Sequence, residues 1–242
     1  PGPVITYSRR SLQLYLANRQ YALAVPLYTL GLMVVISILI AIVMGIATGF
    51  PLSASTQEGF RANSGAIWSL TGFLTSVGVL AANRNFAMAL AFGSTRRHFW
   101  LGTTAGFVLT AAVTGIGAVV ALGLERLTGH WFLGAYALDV AVLGNGNVAQ
   151  TFGVVFVLAL LSMTGGAMFG TVYRAFGVKA TAILGLACLV LLFLAVALVV
   201  WRWSALGPLV AGWGAWAEVL VGAVLVVVTA AGSYAACQRA TV

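Results

Sequence analysis

FAMALAFGSTRRHFW, residues 86–100, lies between two apolar runs of membrane length, is itself mostly apolar, and closes on Arg96, Arg97 and His98 before its aromatic end. A plain connection between two helices would need only a few polar residues. Phe86 to Phe92 supplies two helical turns that are apolar nearly all round, with Phe86, Ala89 and Leu90 on one side and Met88 and Phe92 on another. Gly93 is placed to end that helix in the left-handed conformation, and Ser94 to cap the next one. The new helix then carries Arg96 and Arg97 in its first turn and Phe99 and Trp100 as an interfacial belt. Two arginines there oppose the helix dipole by about 0.3–1 kcal/mol each, so anionic headgroups or an acidic partner surface are expected beside them. A rod that is apolar on several sides wants more than lipid against it, which points to a docked protein.

Composition says where such a segment lives. Of the 242 residues, 62% are apolar and 7% charged, against about 25% charged in a soluble domain. The chain therefore reads as one all-α, polytopic membrane domain over residues 1–242. A crossing takes roughly 20 apolar residues, and six such runs occur, at Leu23–Phe50, Ser64–Ala82, Leu101–Leu124, Gln150–Gly170, Thr181–Trp201 and Trp216–Ala236. Proline ends the first at Gly49-Phe50-Pro51, with the polar stretch Ser53 to Glu58 beyond it. The second is expected to stop at Asn83-Arg84-Asn85, and Phe176-Gly177-Val178-Lys179 to separate the fourth from the fifth. Residues 1–22 form an N-terminal segment and 237–242 a tail. Pro1-Gly2-Pro3 shows none of the pattern of a cleaved signal peptide and is read as a trimmed end.

Sorting the charges by alternate loops orients the bundle. Arg9, Arg10, Arg19, Arg84, Arg96, Arg97, Arg174, Lys179 and Arg239 fall on one face. The other receives Arg61, Arg126 and Arg202 with every acidic residue: Glu58, Glu125, Asp139 and Glu218. That asymmetry places both termini and residues 86–100 in the cytoplasm and the protein in the cytoplasmic (inner) cell membrane. The net charge of +8 then reads as orientation signal and headgroup contact rather than as a nucleic-acid footprint, and no nucleic-acid motif is present.

Catalytic chemistry is scarce. No run carries an ionisable residue through its middle, which removes the usual machinery of proton- or ion-coupled transport. His98 and His130 belong to opposite faces and so cannot share a metal. Asp139 reads as a lone, solvated outer carboxylate, and Cys188 and Cys237 suggest neither a disulfide nor a zinc site. There is no GxxxxGK[ST] phosphate loop and no HExxH. No catalytic, metal or cofactor residues are expected on this chain, and energised work would draw on another subunit. What the runs do offer is small residues. Ser37, Ala41, Gly45 and Gly49 line one face of the first helix as a packing or dimer face, and Gly102 with Gly106 and Gly166 with Gly170 repeat the spacing. Thr71, Thr75 and Ser76 in the second run, with Thr110 and Thr114 in the third, could line a polar translocation seam, although hydroxyls in membrane helices more often bond back to their own backbone.

Residues Ala89 to Gly102, ALAFGSTRRHFWLG, resemble the "A-L-x-x-G-x-[ST]-R-R-x-[FY]-x-x-G" segment of permease subunits of type-2 ATP-binding-cassette (ABC) transporters, found there between the second and third spans. The resemblance implies that this segment is a cytoplasmic coupling helix seated in a cleft of a separate ATPase, which would hold ATP and Mg. Its contact set would be Phe86, Met88, Leu90, Phe92, Gly93, Ser94, Arg96 and Arg97, joined by Arg174 and Lys179 of the next inner loop. It further implies an amphipathic N-terminal helix, here Tyr7–Tyr21, and a second permease chain, identical or sister. Short re-entrant helices between the last two spans would fall at Trp203–Trp216, for which an aromatic interfacial loop is the alternative. The outer loop Glu125–Val148 is longer than a simple connection requires. The expected function is ATP-driven export of a hydrophobic or amphipathic compound such as a drug, peptide antibiotic or lipid, by a transport subunit that is not itself an enzyme. The rival expectation is a non-transporting membrane anchor or sensor that recruits a cytoplasmic partner.

Overall fold

The computed structural model describes residues 11–17, 20–62 and 65–240. Residues 11–17 are helical. A wide turn, Gln20–Ala24, leads into α1 (Val25–Thr48), followed by α2 (Ala54–Ala62), α3 (Gly65–Leu80), a second wide turn at Ala81–Asn85, and α4 (Phe86–Ala91). Then come α5 (Arg96–Leu127), α6 (Val148–Trp201), α7 (Trp203–Trp213) and α8 (Ala215–Arg239), and among the described residues there is no strand. Among the described residues, five stretches are long and apolar enough to cross a membrane: Ala22–Thr48, Ala54–Ala91, Arg96–Leu127, Val148–Trp201 and Ala215–Arg239. The described residues thus form a helical fold with several helices that could span a membrane, which suggests the multi-pass membrane protein that the composition implies. Arg9, Arg10, Arg19 and Ser64, used above to set boundaries and orientation, lie outside the described residues.

The 54-residue α6 covers the fourth and fifth expected runs together. The loop expected at residues 176–179 is a single residue, Gly177, with φ 79° and ψ −172°. A side chain disfavours that conformation and glycine tolerates it. A Cβ on Gly185 would sit 3.9 Å from the Phe169 ring, although a straight helix would set the two residues about 24 Å apart. The helix therefore folds back at Gly177 into two limbs, residues 148–176 and 178–201. The first limb is the axis of the bundle, with α3, α5 and α8 packed along it. The second is apolar and exposed on all sides over residues 191–200, as befits a helix facing lipid or another chain.

Close approach of backbones holds the axis. A Cβ on Gly166 would collide with the Thr75 carbonyl of α3, and one on Gly78 with the Met163 carbonyl. Without a hydrophobic force between helices in lipid, such glycine crossings and their dispersion contacts bring two backbones together. Phe107, Leu74 and Met163 are buried in the core cluster that includes this crossing.

Two local expectations give way to tertiary geometry, and one stretch takes a structure that the sequence left open. Asn83-Arg84-Asn85 does not stop the second helix; it forms the wide turn that carries α3 into α4. The polar stretch after Pro51 is helical, as α2, and buries Phe60. The cap of α5 is Thr95, whose side chain accepts the His98 N–H, rather than Ser94. Ser94 is buried instead, its hydroxyl 3.5 Å from that of Ser11. The other prominent polar cap is on α6, where Asn147 Oδ1 accepts the N–H groups of Ala149 and Gln150.

Candidate functional site

One end of the bundle gathers the basic loops. Phe86, Ala89, Phe99, Cys237 and Ala240 form a small core there, with Leu14, Leu90, Trp100 and Ala175 against it. The N-terminal helix, α4, the start of α5, the first limb of α6 and the end of α8 all meet at this point. Phe86 is fully buried, its ring edge-on to Phe99 at 5.2 Å between centroids. The Arg174 guanidinium lies over the Phe86 ring at 5.1 Å and donates to the Asn83 carbonyl at 2.6 Å. Arg96 donates to the Gln238 carbonyl near the C-terminus of α8. A cation that opposes the dipole of α5 thereby neutralises the negative end of α8.

What remains outward is the apolar tip. Met88 and Phe92 are exposed, Phe92 at 72%. Gly93 takes φ 79° and breaks the chain between this rod and α5, as its sequence position suggested. Arg97 and Lys179 are exposed, Leu90 and Arg96 half-buried. Of the ten residues expected to meet a partner, Phe86 and Ser94 thus face inward, and Met88, Phe92, Arg97 and Lys179 outward. Beside the tip runs a groove of about 420 Å³ between the N-terminal helix and α4, lined by Gln13, Leu14, Ala17, Ala89 and Phe92.

The threonines do not assemble into one seam. α3 and α5 pack along α6 rather than along each other. Thr71, Thr75 and Ser76 donate back to the carbonyls of Trp68, Thr71 and Gly72. Thr114 donates to the carbonyl of Thr110, and both are fully buried. Thr110 is met by Tyr15, 3.1 Å away between hydroxyl oxygens. Tyr15 comes from the N-terminal helix, packs edge-on to Phe107, and fills the space that a Cβ on Gly106 would need. Burial pushes its phenol up to about 12, against a smaller opposing effect of the Thr110 hydrogen bond. That helix therefore plugs into the bundle as well as lying beside it.

The small-residue face of α1 is filled from within the chain. Phe50 folds over Gly45, while Ala41 packs with Leu52, Phe60 and Ala135. Ser37 is buried and donates to the Met33 carbonyl, and Gly49 ends α1 at φ 94°.

The opposite end holds a buried acidic centre. Glu125, in the last turn of α5, is fully buried, and its carboxylate accepts the N–H groups of Ala137 (3.2 Å), Leu138 (2.8 Å) and Asp139 (3.3 Å). His130 Nδ1 stands 3.4 Å from the same carboxylate. Successive N–H groups make a natural anion cradle, which offsets the cost of a negative charge at a helix C-terminus. Contrary to the expectation of a lone, solvated carboxylate, Asp139 is 4% exposed and lies 3.6 Å from Arg61 and 3.5 Å from Arg126. The long loop between α5 and α6 is thus a folded cap, with His130, Trp131 and Phe132 all at left-handed φ. His98 lies in the first turn of the 32-residue α5 and His130 just past its end, so most of roughly 48 Å of helix separates them, and no group of three or more metal-ligating side chains occurs among the described residues.

Sequence reasoning missed Tyr15, Glu125 and the burial of Asp139. The available signal was a tyrosine on the apolar side of the first helix and an acid at the wrong end of another, and each needs a partner distant in sequence to acquire meaning. No protein-family profile, curated protein or solved structure matches this chain.

Proposed function

We propose that this chain is the transmembrane subunit of an ATP-driven exporter of the type-2 ABC kind, with six spans, both ends cytoplasmic, and energy supplied by a separate ATPase. The observation that carries the reading is the root of the short rod Phe86–Ala91. Through Phe86 and Ala89 that root packs in one small core with Phe99 of α5 and Cys237 of α8 and lies under Arg174 of the first limb of α6, and it continues the turn that leaves α3, while its tip, Met88 and Phe92, stands free. A push on the tip is delivered to four helices, as a coupling element requires. The limbs of α6 on either side of Gly177 supply the fourth and fifth spans of the six. α7, with 11 residues, is about 16 Å long, too short to cross, and suits a re-entrant element before α8. The uncharged middle of the bundle favours a hydrophobic or amphipathic cargo.

The test is cargo-stimulated ATP hydrolysis in proteoliposomes holding this chain and the ATPase that co-purifies with it. Replacing Met88 and Phe92 together by Ala, or Leu90 by Pro, is expected to abolish stimulation while the ATPase keeps its basal rate. Full stimulation in both variants overturns the coupling role. A partner that binds the rod without hydrolysing ATP favours the anchor reading instead.

A further inference from the structure

A second groove, of about 530 Å³, runs between the first turns of α5 and the last turns of α8. Its floor is apolar, with Val227, Ala230 and Ala231 among its residues, and its mouth carries Arg97, Trp100 and Tyr234. The Trp100 and Tyr234 rings meet edge to face at 5.0 Å. Arg96 is engaged by α8, whereas Arg97 is exposed and pairs with no described residue. α5 and α8 are both long and apolar enough to cross a membrane, so the groove opens sideways from a membrane helix pair near its basic end.

The geometry points to a binding site for one anionic phospholipid, its phosphodiester on the Arg97 guanidinium and its acyl chain along the α8 floor. The floor from Val226 to Tyr234 is about 12 Å long, continuous with the apolar body of α8. A guanidinium presents two parallel N–H groups to a phosphate, and Trp and Tyr are the side chains that settle at headgroup depth. An acidic protein surface would satisfy the cation and leave the apolar floor bare. A neutral lipid would cover the floor and leave the cation unmatched. Exchange of one acyl chain for another in the bilayer carries little preference, because lipid tails are as apolar as the floor. Selectivity then rests on the headgroup, and one cation beside it corresponds to about a fivefold preference for an anionic over a zwitterionic lipid. The proposal depends on α5 and α8 being membrane helices and is independent of any ATPase.

Native mass spectrometry of the full chain in detergent, titrated with phosphatidylglycerol or phosphatidylcholine of the same acyl composition, tests it without a partner and without a defined topology. One phosphatidylglycerol adduct is expected at about fivefold preference. Arg97→Gln should bring that preference close to unity, and Arg84→Gln, an exposed cation in the turn before α4 and outside the groove, should leave it intact. Val227→Trp should lower occupancy by both lipids by filling the floor. If it fails to fold, the arginine pair still decides. The inference is overturned if Arg97→Gln keeps the preference, if Arg84→Gln loses it equally, or if soluble glycerol phosphate displaces the lipid.

Discussion

Removing the Glu125 carboxylate should release the cap formed by the loop between α5 and α6. The carboxylate accepts three consecutive backbone N–H groups, two on Oε1 and one on Oε2. Glutamine keeps one oxygen. Its better orientation saves the bonds from Ala137 and Asp139 and turns its own amide hydrogens toward the Leu138 N–H. One buried donor left unsatisfied costs about 1–3 kcal/mol. Alanine leaves all three donors without their acceptor in a site where Glu125 is fully buried, and should cost about 3 kcal/mol or more. Three neighbouring residues at left-handed φ, His130 to Phe132, would then lose the carboxylate that anchors the return of their loop. Thermal unfolding in detergent should fall by about 2–4 °C for each kcal/mol lost, in the order wild type, Glu125→Gln, Glu125→Ala. Protease cleavage within residues 128–147 should rise in the same order. An unchanged midpoint and an equally resistant loop in Glu125→Ala would refute the reasoning.

Neighbouring glycines in α6 are expected to behave oppositely. Gly165 faces open space, so Gly165→Ala should be neutral or slightly stabilising, whereas a Cβ at Gly166 strikes the Thr75 carbonyl. Gly166→Ala should thus cost about 1–3 kcal/mol, read as a lowered melting point or yield. Tyr15 has a pH signature: its folded pKa, about 12, exceeds the ordinary value of 10. The proton is held more tightly in the fold, so the contribution is complete below pH 10 and is lost as pH climbs through 12, on the order of 2–3 kcal/mol in all. Tyr15→Phe lacks that loss. It should be the less stable protein at pH 7, where the bond to Thr110 is missing, and the more stable one near pH 12; parallel curves would count against the burial of the phenol.

Much of the architecture was legible in the chain, because hydropathy over a window of about 20 residues is a sum over neighbours. The helical, membrane-crossing class follows from it, and so do the helix breaks at Gly49, Gly93 and Gly177, where a turn residue marks the end of an apolar run. The gathering of Arg84, Arg96, Arg97 and Arg174 near one small core, and of Glu125 and Asp139 at the other end, likewise follows the alternation of loops. Legibility stopped wherever meaning depends on a distance between residues far apart in sequence. Gly165 and Gly166 are equivalent in composition, and only the crossing with α3 separates them. Ser94 and Thr95 are both good caps, and burial of Ser94 against Ser11 leaves the role to Thr95. The threonines of α3 and α5 share a chemistry but not a surface, since the first limb of α6 is what both pack against. The sequence by itself determined which segments belong in lipid and which carry charge, for those are properties of single residues added together. Only the tertiary structure decided that Phe86 is a root and Phe92 a tip, and that Asp139 is held between two arginines, because burial and pairing exist only once the helices have met.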